Sequence, residues 1–222
     1  INKRGINIHE TDEIKYDYKV HWNNAYQKNP IEKLGWFEEN PIPSLDLIEK
    51  CCLSKEALIF HAGAGATKLI DLLLTKGYNN IVVNDISNSS LKKLKNSLKK
   101  NSSVKYIVDD LTNPSKLLNL KSVDLWHDRA VLHFFTEEKQ RKIYFNLLKK
   151  IVKPGGYVIL SEFNLDGAKK CCDLDIFNYN QDMLQKRLGN SFLLLKAFDY
   201  LYKHPSNGNT RKYIYTLFQR KI

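Results

Sequence analysis

The residues of this chain whose types and spacing could do chemistry are a glycine-bearing turn, a spaced set of aspartates and one histidine-aspartate-arginine run. The turn is His61-Ala62-Gly63-Ala64-Gly65-Ala66. Its glycines let the backbone bend tightly and approach a ligand without Cβ atoms in the way, and the helix expected next would offer N-terminal amides. A nucleotide-like ligand suits such a turn. The third glycine position of the dinucleotide fingerprint is Lys68, too bulky for close helix-to-strand packing, which turns the reading away from a nicotinamide cofactor. About twenty residues further on, Asp85 is placed to accept both hydroxyl hydrogens of a ribose, although with Ser87 it also reads as a helix cap. Asp109 and Asp110 close the next strand. Asp110, before Leu111, is placed to accept from the amino group of an adenine ring, and one acid of the pair reads as a loop residue. His127, Asp128 and Arg129 end a further strand and should converge on bound ligand, unless they form a structural ion pair. His133, within an apolar stretch, reads as a packed core histidine.

These residues need a frame that brings strand ends together. Short apolar strands are expected at 57–61, 80–84, 104–108, 123–127 and 157–162, alternating with amphipathic helices that carry Leu91, Leu94 and Leu98 or Ile143, Leu147 and Ile151. That rhythm predicts βαβ units and a mostly parallel, doubly wound α/β sheet. Ser87 and Thr136 are expected helix caps, Gly77 ends the helix after the first strand, and Pro154-Gly155-Gly156 blocks helix beyond Val152. Residues 192–202 and 212–220, separated by the turn-rich 203–209, predict a C-terminal antiparallel hairpin. Nicotinamide-binding domains continue with parallel strands instead. Residues 18–53 read as helices over the sheet, with Ser44 capping one over 45–52. A single domain over 1–222 is expected, with a helical cap at 1–55 and an α/β core at 56–222.

At 222 residues, 43% hydrophobic and 27% charged, the composition is that of a globular protein rather than a disordered one. No apolar run approaches the roughly 20 residues that span a bilayer, and residues 1–18 are too polar for a signal sequence, so no membrane partner and a cytoplasmic location are expected. Since the chain opens on Ile1, a segment before it is left open. The net charge of +11 invites a nucleic-acid partner, but its lysines spread over helix faces such as 91–100 and read as solvated surface. The vicinal pairs Cys51-Cys52 and Cys171-Cys172 lack zinc spacing, and neighbouring thiols should point apart, so reduced thiols and no metal are expected.

In order, the glycine turn, Asp85, Asp110, the Asp128 region and Pro154-Gly155-Gly156 resemble the class I S-adenosylmethionine-dependent methyltransferases over roughly residues 20–220. The segment Trp126-His127-Asp128-Arg129-Ala130-Val131-Leu132-His133-Phe134-Phe135-Thr136 resembles a bacterial subgroup, distantly similar to the citrate synthase lysine methyltransferases. His21-Trp22-Asn23-Asn24-Ala25-Tyr26 and Gly35-Trp36-Phe37 resemble the family's opening segment, whose aromatics often cover the cofactor. The resemblance implies a Rossmann-like seven-stranded sheet and an S-adenosylmethionine site of Trp36, His61, Gly63, Gly65, Asp85, Ile86, Asp110, Leu111 and His127. Asp128 and His127 are then the catalytic candidates, assisting an acceptor that must react unprotonated. Where the family commonly has an acid, this chain has His61; backbone carbonyls or another acid would hold the cofactor's amino group. The acceptor is a small molecule or a protein lysine, and residues 163–179 are expected to shape its pocket. An RNA-directed protein and a nicotinamide-dependent oxidoreductase are the competing readings.

Overall fold

The computed structural model describes residues 16–222; most of the polar segment 1–18 lies outside them. The elements run α1 (Tyr18–Lys28), α2 (Ile42–Lys50), β1 (Ile59–Ala62), α3 (Leu69–Thr75), β2 (Ile81–Asp85), α4 (Asn88–Ser97), β3 (Val104–Val108), β4 (Val123–Arg129), α5 (Glu138–Ile151), β5 (Val152–Phe163), β6 (Lys170–Cys171), β7 (Leu174–Asp175), α6 (Gln181–Leu188), β8 (Phe192–Lys203) and β9 (Thr210–Arg220). Seven strands form one sheet in the order β3-β2-β1-β4-β5-β9-β8. The first five are parallel to their neighbours, and β9 enters antiparallel between β5 and β8. The expected doubly wound sheet with a terminal hairpin is the observed one.

Strand alternation sorts the core into two layers. Ile59, Ile81, Val83, Leu125 and Ile159 face α2, α3 and α4, while Phe60, Val82, Trp126, Val158 and Leu160 face α5 and α6. Leu91 and Leu94 bury the apolar stripe of α4 on the first layer. Among the described residues, no helix is long and apolar enough to cross a membrane.

Helix starts were legible where a short polar side chain does the capping. Ser87 Oγ accepts from Ser90 N–H at 3.1 Å, as expected. Thr136 does not cap α5; Glu137, one residue later, does, in a capping box in which the Gln140 side chain accepts from Glu137 N–H. Nor does Ser44 cap α2, which starts earlier, at Ile42 after Pro41, and leaves Ser44 inside the helix facing the sheet. The vicinal thiols of Cys171 and Cys172 do not point apart. Cys172 and Asp173 turn the β6–β7 hairpin at φ 55° and 64°, and that reversal brings the two sulfurs to 3.6 Å.

Candidate active site

Both glycines of the turn are in the left-handed region, Gly63 at φ 52° and Gly65 at 58°. A Cβ on Gly63 would lie 2.3 Å from Val131 Cγ2, and one on Gly65 would lie 2.2 Å from the Tyr26 hydroxyl. The turn is therefore packed between α1 and the loop after β4. Helix α3 begins only at Leu69, so the turn itself, not a helix end, faces the ligand space. Lys68 points outward to an ion pair with Glu39.

Asp85 ties the turn to β2. Its Oδ2 accepts from Gly65 N–H at 2.8 Å and its Oδ1 from Ser87 N–H at 2.7 Å. Burial raises its pKa to about 6, against those hydrogen bonds. Each carboxylate oxygen keeps a lone pair, so the brace leaves capacity for ribose hydroxyls. Asp109 is the loop acid of its pair, accepting from Ser115 N–H and Leu117 N–H, both at 2.9 Å. Burial opposes its charge, but these hydrogen bonds prevail and lower its pKa. Asp110 uses Oδ1 for Thr112 and borders the cavity.

That cavity is lined at one end by Gly63, Asp85, Ile86, Asp110 and Leu111. At its other end stand Trp22, Trp36, Phe134, Cys171 and Tyr213. Trp22 meets Trp36 and Phe134 edge-on, with centroids 5.4 and 4.9 Å apart, and Trp36 Nε1 donates to the Tyr26 hydroxyl at 2.9 Å. The aromatics of the opening segment thus cover the glycine turn.

His61 and His127 sit side by side on β1 and β4, rings 4.4 Å apart, in the wall of a second, smaller cavity. His127 Nε2 lies 2.9 Å from Ser44 Oγ. Burial and then the Arg129 charge push the His61 pKa down to about 3; burial, His61 and Arg129 push His127 well down too, so both stay neutral.

The structure removes Asp128 from the cavities. Along β4, residues 127 and 129 share one face and 128 the other, so its carboxylate points into the α5 layer. There Oδ2 accepts from the Tyr144 hydroxyl at 2.6 Å and Oδ1 from Val131 N–H at 3.2 Å. Burial first, and the nearby Glu162 carboxylate second, raise its pKa well above normal. It braces the loop that carries Val131 and touches no ligand space, so of the two catalytic candidates only His127 borders a cavity.

Two groups were not singled out from the sequence. Glu38, between α1 and α2, pairs with Arg129, Oε2 to Nε at 3.0 Å. Cys171 reaches the large cavity beside His133, whose Nδ1 is 2.8 Å from Glu162 Oε2 without an in-line hydrogen bond. His133 is buried as expected, yet it borders the cavity. Burial opposes its charge, but Cys171 and Glu162 outweigh it and raise its pKa. The Cys171 pKa is lowered, chiefly through the Cys172 thiol and, against burial, also through His133. Position alone could not reveal either residue, because Glu38 lies in the connection between α1 and α2 and Cys171 in a two-residue strand at a tight hairpin.

A five-strand parallel sheet ended by an inserted antiparallel strand, with its ligand space at the strand ends, defines the Rossmann-like methyltransferase fold. Residues 60–160 match the methyltransferase domain family. Among solved structures, the chain is similar to an S-adenosylmethionine-dependent methyltransferase from Anabaena variabilis, at TM-score 0.70 and 14% identity over 93% of this chain and 96% of that one. It is also similar to the Burkholderia thailandensis 1,6-didemethyltoxoflavin-N1-methyltransferase, which holds S-adenosylhomocysteine, at TM-score 0.63 and 13% identity over 92% and 84%. A third similar structure, described for the conversion of a disulfide bond into a thioacetal group in echinomycin biosynthesis, gives TM-score 0.71 and 13% identity over 92% of both chains. No curated protein matches in sequence. Residues 60–160 thus match a methyltransferase domain, and the whole described chain has the fold of these S-adenosylmethionine-dependent methyltransferase structures.

S-adenosylmethionine is the cofactor named for the similar Anabaena variabilis structure, and its product S-adenosylhomocysteine is bound in the Burkholderia thailandensis one. The residues present fit it: a turn whose bare Gly63 backbone borders both cavities, carboxylates at the ends of β2 and β3, and a buried Arg129 Nη2 without a partner.

Proposed function

We propose that the chain methylates a small-molecule acceptor seated among Trp22, Trp36, Phe134, Cys171 and Tyr213. The observation that carries this reading is that these residues share one cavity with Asp85 and Asp110. The bound cofactor supplies an electrophilic methyl group, so the protein's work is to align an acceptor, exclude water and receive its proton. Trp22, Trp36 and Phe134 form an apolar wall that orients a flat acceptor and keeps water away. Cys171 stands at that wall beside His133, and the neighbours that lower the thiol's pKa make it the group placed to receive the acceptor's proton. A cytoplasmic setting, where vicinal thiols stay reduced, suits this site.

A protein lysine is the second reading, favoured by the likeness of residues 126–136 to the lysine-directed enzymes. Labelled-methyl transfer to a lysate fractionated into protein, RNA and small molecules separates these readings. Label in the small-molecule fraction supports the first, and label in protein replaces it with the second. Label in RNA turns the +11 charge into a substrate signal. Absence of any S-adenosylhomocysteine binding overturns the methyltransferase reading itself.

A further inference from the structure

The smaller cavity is lined by Glu38, Ser44, His61 and His127, and it shares Tyr26, Trp36, Gly63 and Arg129 with the larger one. Gly63 therefore stands at the boundary between the two spaces. With both histidines neutral, the charges on the smaller cavity's described wall are one matched pair, Glu38 and Arg129.

This pair is fixed in place. The Glu38 and Arg129 side chains retain only 10% and 8% of their exposure. Arg129 Nε also donates to the Tyr215 hydroxyl and Nη1 donates to Trp36 O, each at 3.1 Å, while Tyr213 lies under the guanidinium at 4.9 Å. Arg129 Nη2 is nevertheless buried without a hydrogen-bond partner. A buried guanidinium nitrogen left unpaired is costly, and an arriving anion would relieve that cost. Glu38 is complementary: a carboxylate accepts at up to about four sites, so the Arg129 contact leaves it capacity for a cation.

An α-amino acid presents an ammonium and a carboxylate side by side, the mirror of this arrangement. We infer that Glu38 and Arg129 are the receptor for the amino-acid end of the cofactor, Glu38 taking its ammonium and Arg129 Nη2 its carboxylate. The chain of contacts then runs from Asp110 and Asp85 in the large cavity, past Gly63, into the small one. Neutral His61 and His127 floor that cavity without competing for either charge. This inference rests on the methyltransferase reading and adds residues from the connection between α1 and α2 that no nucleotide motif would include.

Calorimetry on the full chain tests it with two probes, S-adenosylhomocysteine and 5′-methylthioadenosine, which lacks the amino-acid end. Wild type should bind the first at least about thirtyfold more tightly, as expected for two charge-assisted contacts. Glu38→Gln should weaken S-adenosylhomocysteine about tenfold or more and change methylthioadenosine by less than about twofold. Arg129→Lys, which keeps the charge but loses the fork, should show the same selective loss. Equal losses for both probes, or none for either, overturn the assignment. If both variants fail to fold, the wild-type ratio decides, and near-equal affinities overturn it. Binding of neither probe to wild type sinks the methyltransferase reading and the inference together, a result distinct from the others.

Discussion

The two ends of the ligand space are built in opposite ways. At the end proposed to hold adenosine, Asp85, Ile86, Asp110 and Leu111 come from the carboxyl ends of adjacent parallel strands β2 and β3 or the residues just after them. Their positions follow from strand register, and their partners Ser87 and Thr112 are two residues away. At the other end, Glu38, Arg129, Cys171 and Tyr213 arrive from four separate segments, and Arg129 reaches contacts 93 and 86 residues away in the chain, at Trp36 and Tyr215. A nucleotide grip can thus be local, whereas the amino-acid and acceptor ends depend on long-range packing.

Substitutions at the two ends should therefore fail differently. Arg129→Ala should be the most damaging, because it strands Glu38 as a buried unpaired charge and costs about 3–5 kcal/mol. Thermal melting should show a drop of roughly 6–20 °C for a chain of this size. A drop below about 3 °C would mean that the long-range end is less interdependent than the contacts indicate. Gly63→Ala comes next. It combines a left-handed backbone with a Cβ driven into Val131, and should cost about 2–4 kcal/mol and at least about tenfold in S-adenosylhomocysteine affinity. Unchanged affinity by calorimetry would show that the turn relaxes without disturbing the grip.

Cys171→Ser should lower kcat about tenfold while leaving cofactor KM unchanged, since the thiol borders the acceptor end alone. Because its neighbours lower the Cys171 pKa, wild-type kcat should also keep an acidic limb below the ordinary thiol range, and the serine variant should lose it. A parallel rise in cofactor KM would place Cys171 in the adenosine grip instead. The smallest effect is a pH dependence at the adenosine end. Asp85 titrates near 6 in the fold, above its ordinary carboxylate value, so S-adenosylhomocysteine affinity should decline below about pH 6 by up to tenfold per unit. The sign for stability is opposite. Burial favours the protonated acid, so this group's contribution is full below its unfolded pKa and is lost as pH rises towards 6. Asp85→Asn should flatten the affinity slope, and an unaltered slope would assign it to another group.

What the sequence disclosed follows the same division. The strand ends, the Ser87 cap and the terminal hairpin were legible because each depends on neighbours a few residues away. Asp128 was misplaced although the signal was present: with His127 and Arg129 on one face of β4, period-two alternation sends residue 128 to the other. Glu38 carried no such signal, since nothing local ties residue 38 to residue 129. Cys171 was hidden by the assumption of regular backbone, which fails at the left-handed Cys172.

The turn at Gly63 and Gly65 is roofed by Tyr26 of α1, while its floor is anchored by Asp85 of β2. Roof and floor therefore belong to pieces of chain that can be inherited with different freedom. Changes among Tyr18, Trp22 and Tyr26 can remodel what enters beside the methyl donor, and the strand-end carboxylates need not change with them. On the proposed reading, a new acceptor calls for changes on one helix while the strand-end carboxylates stay as they are.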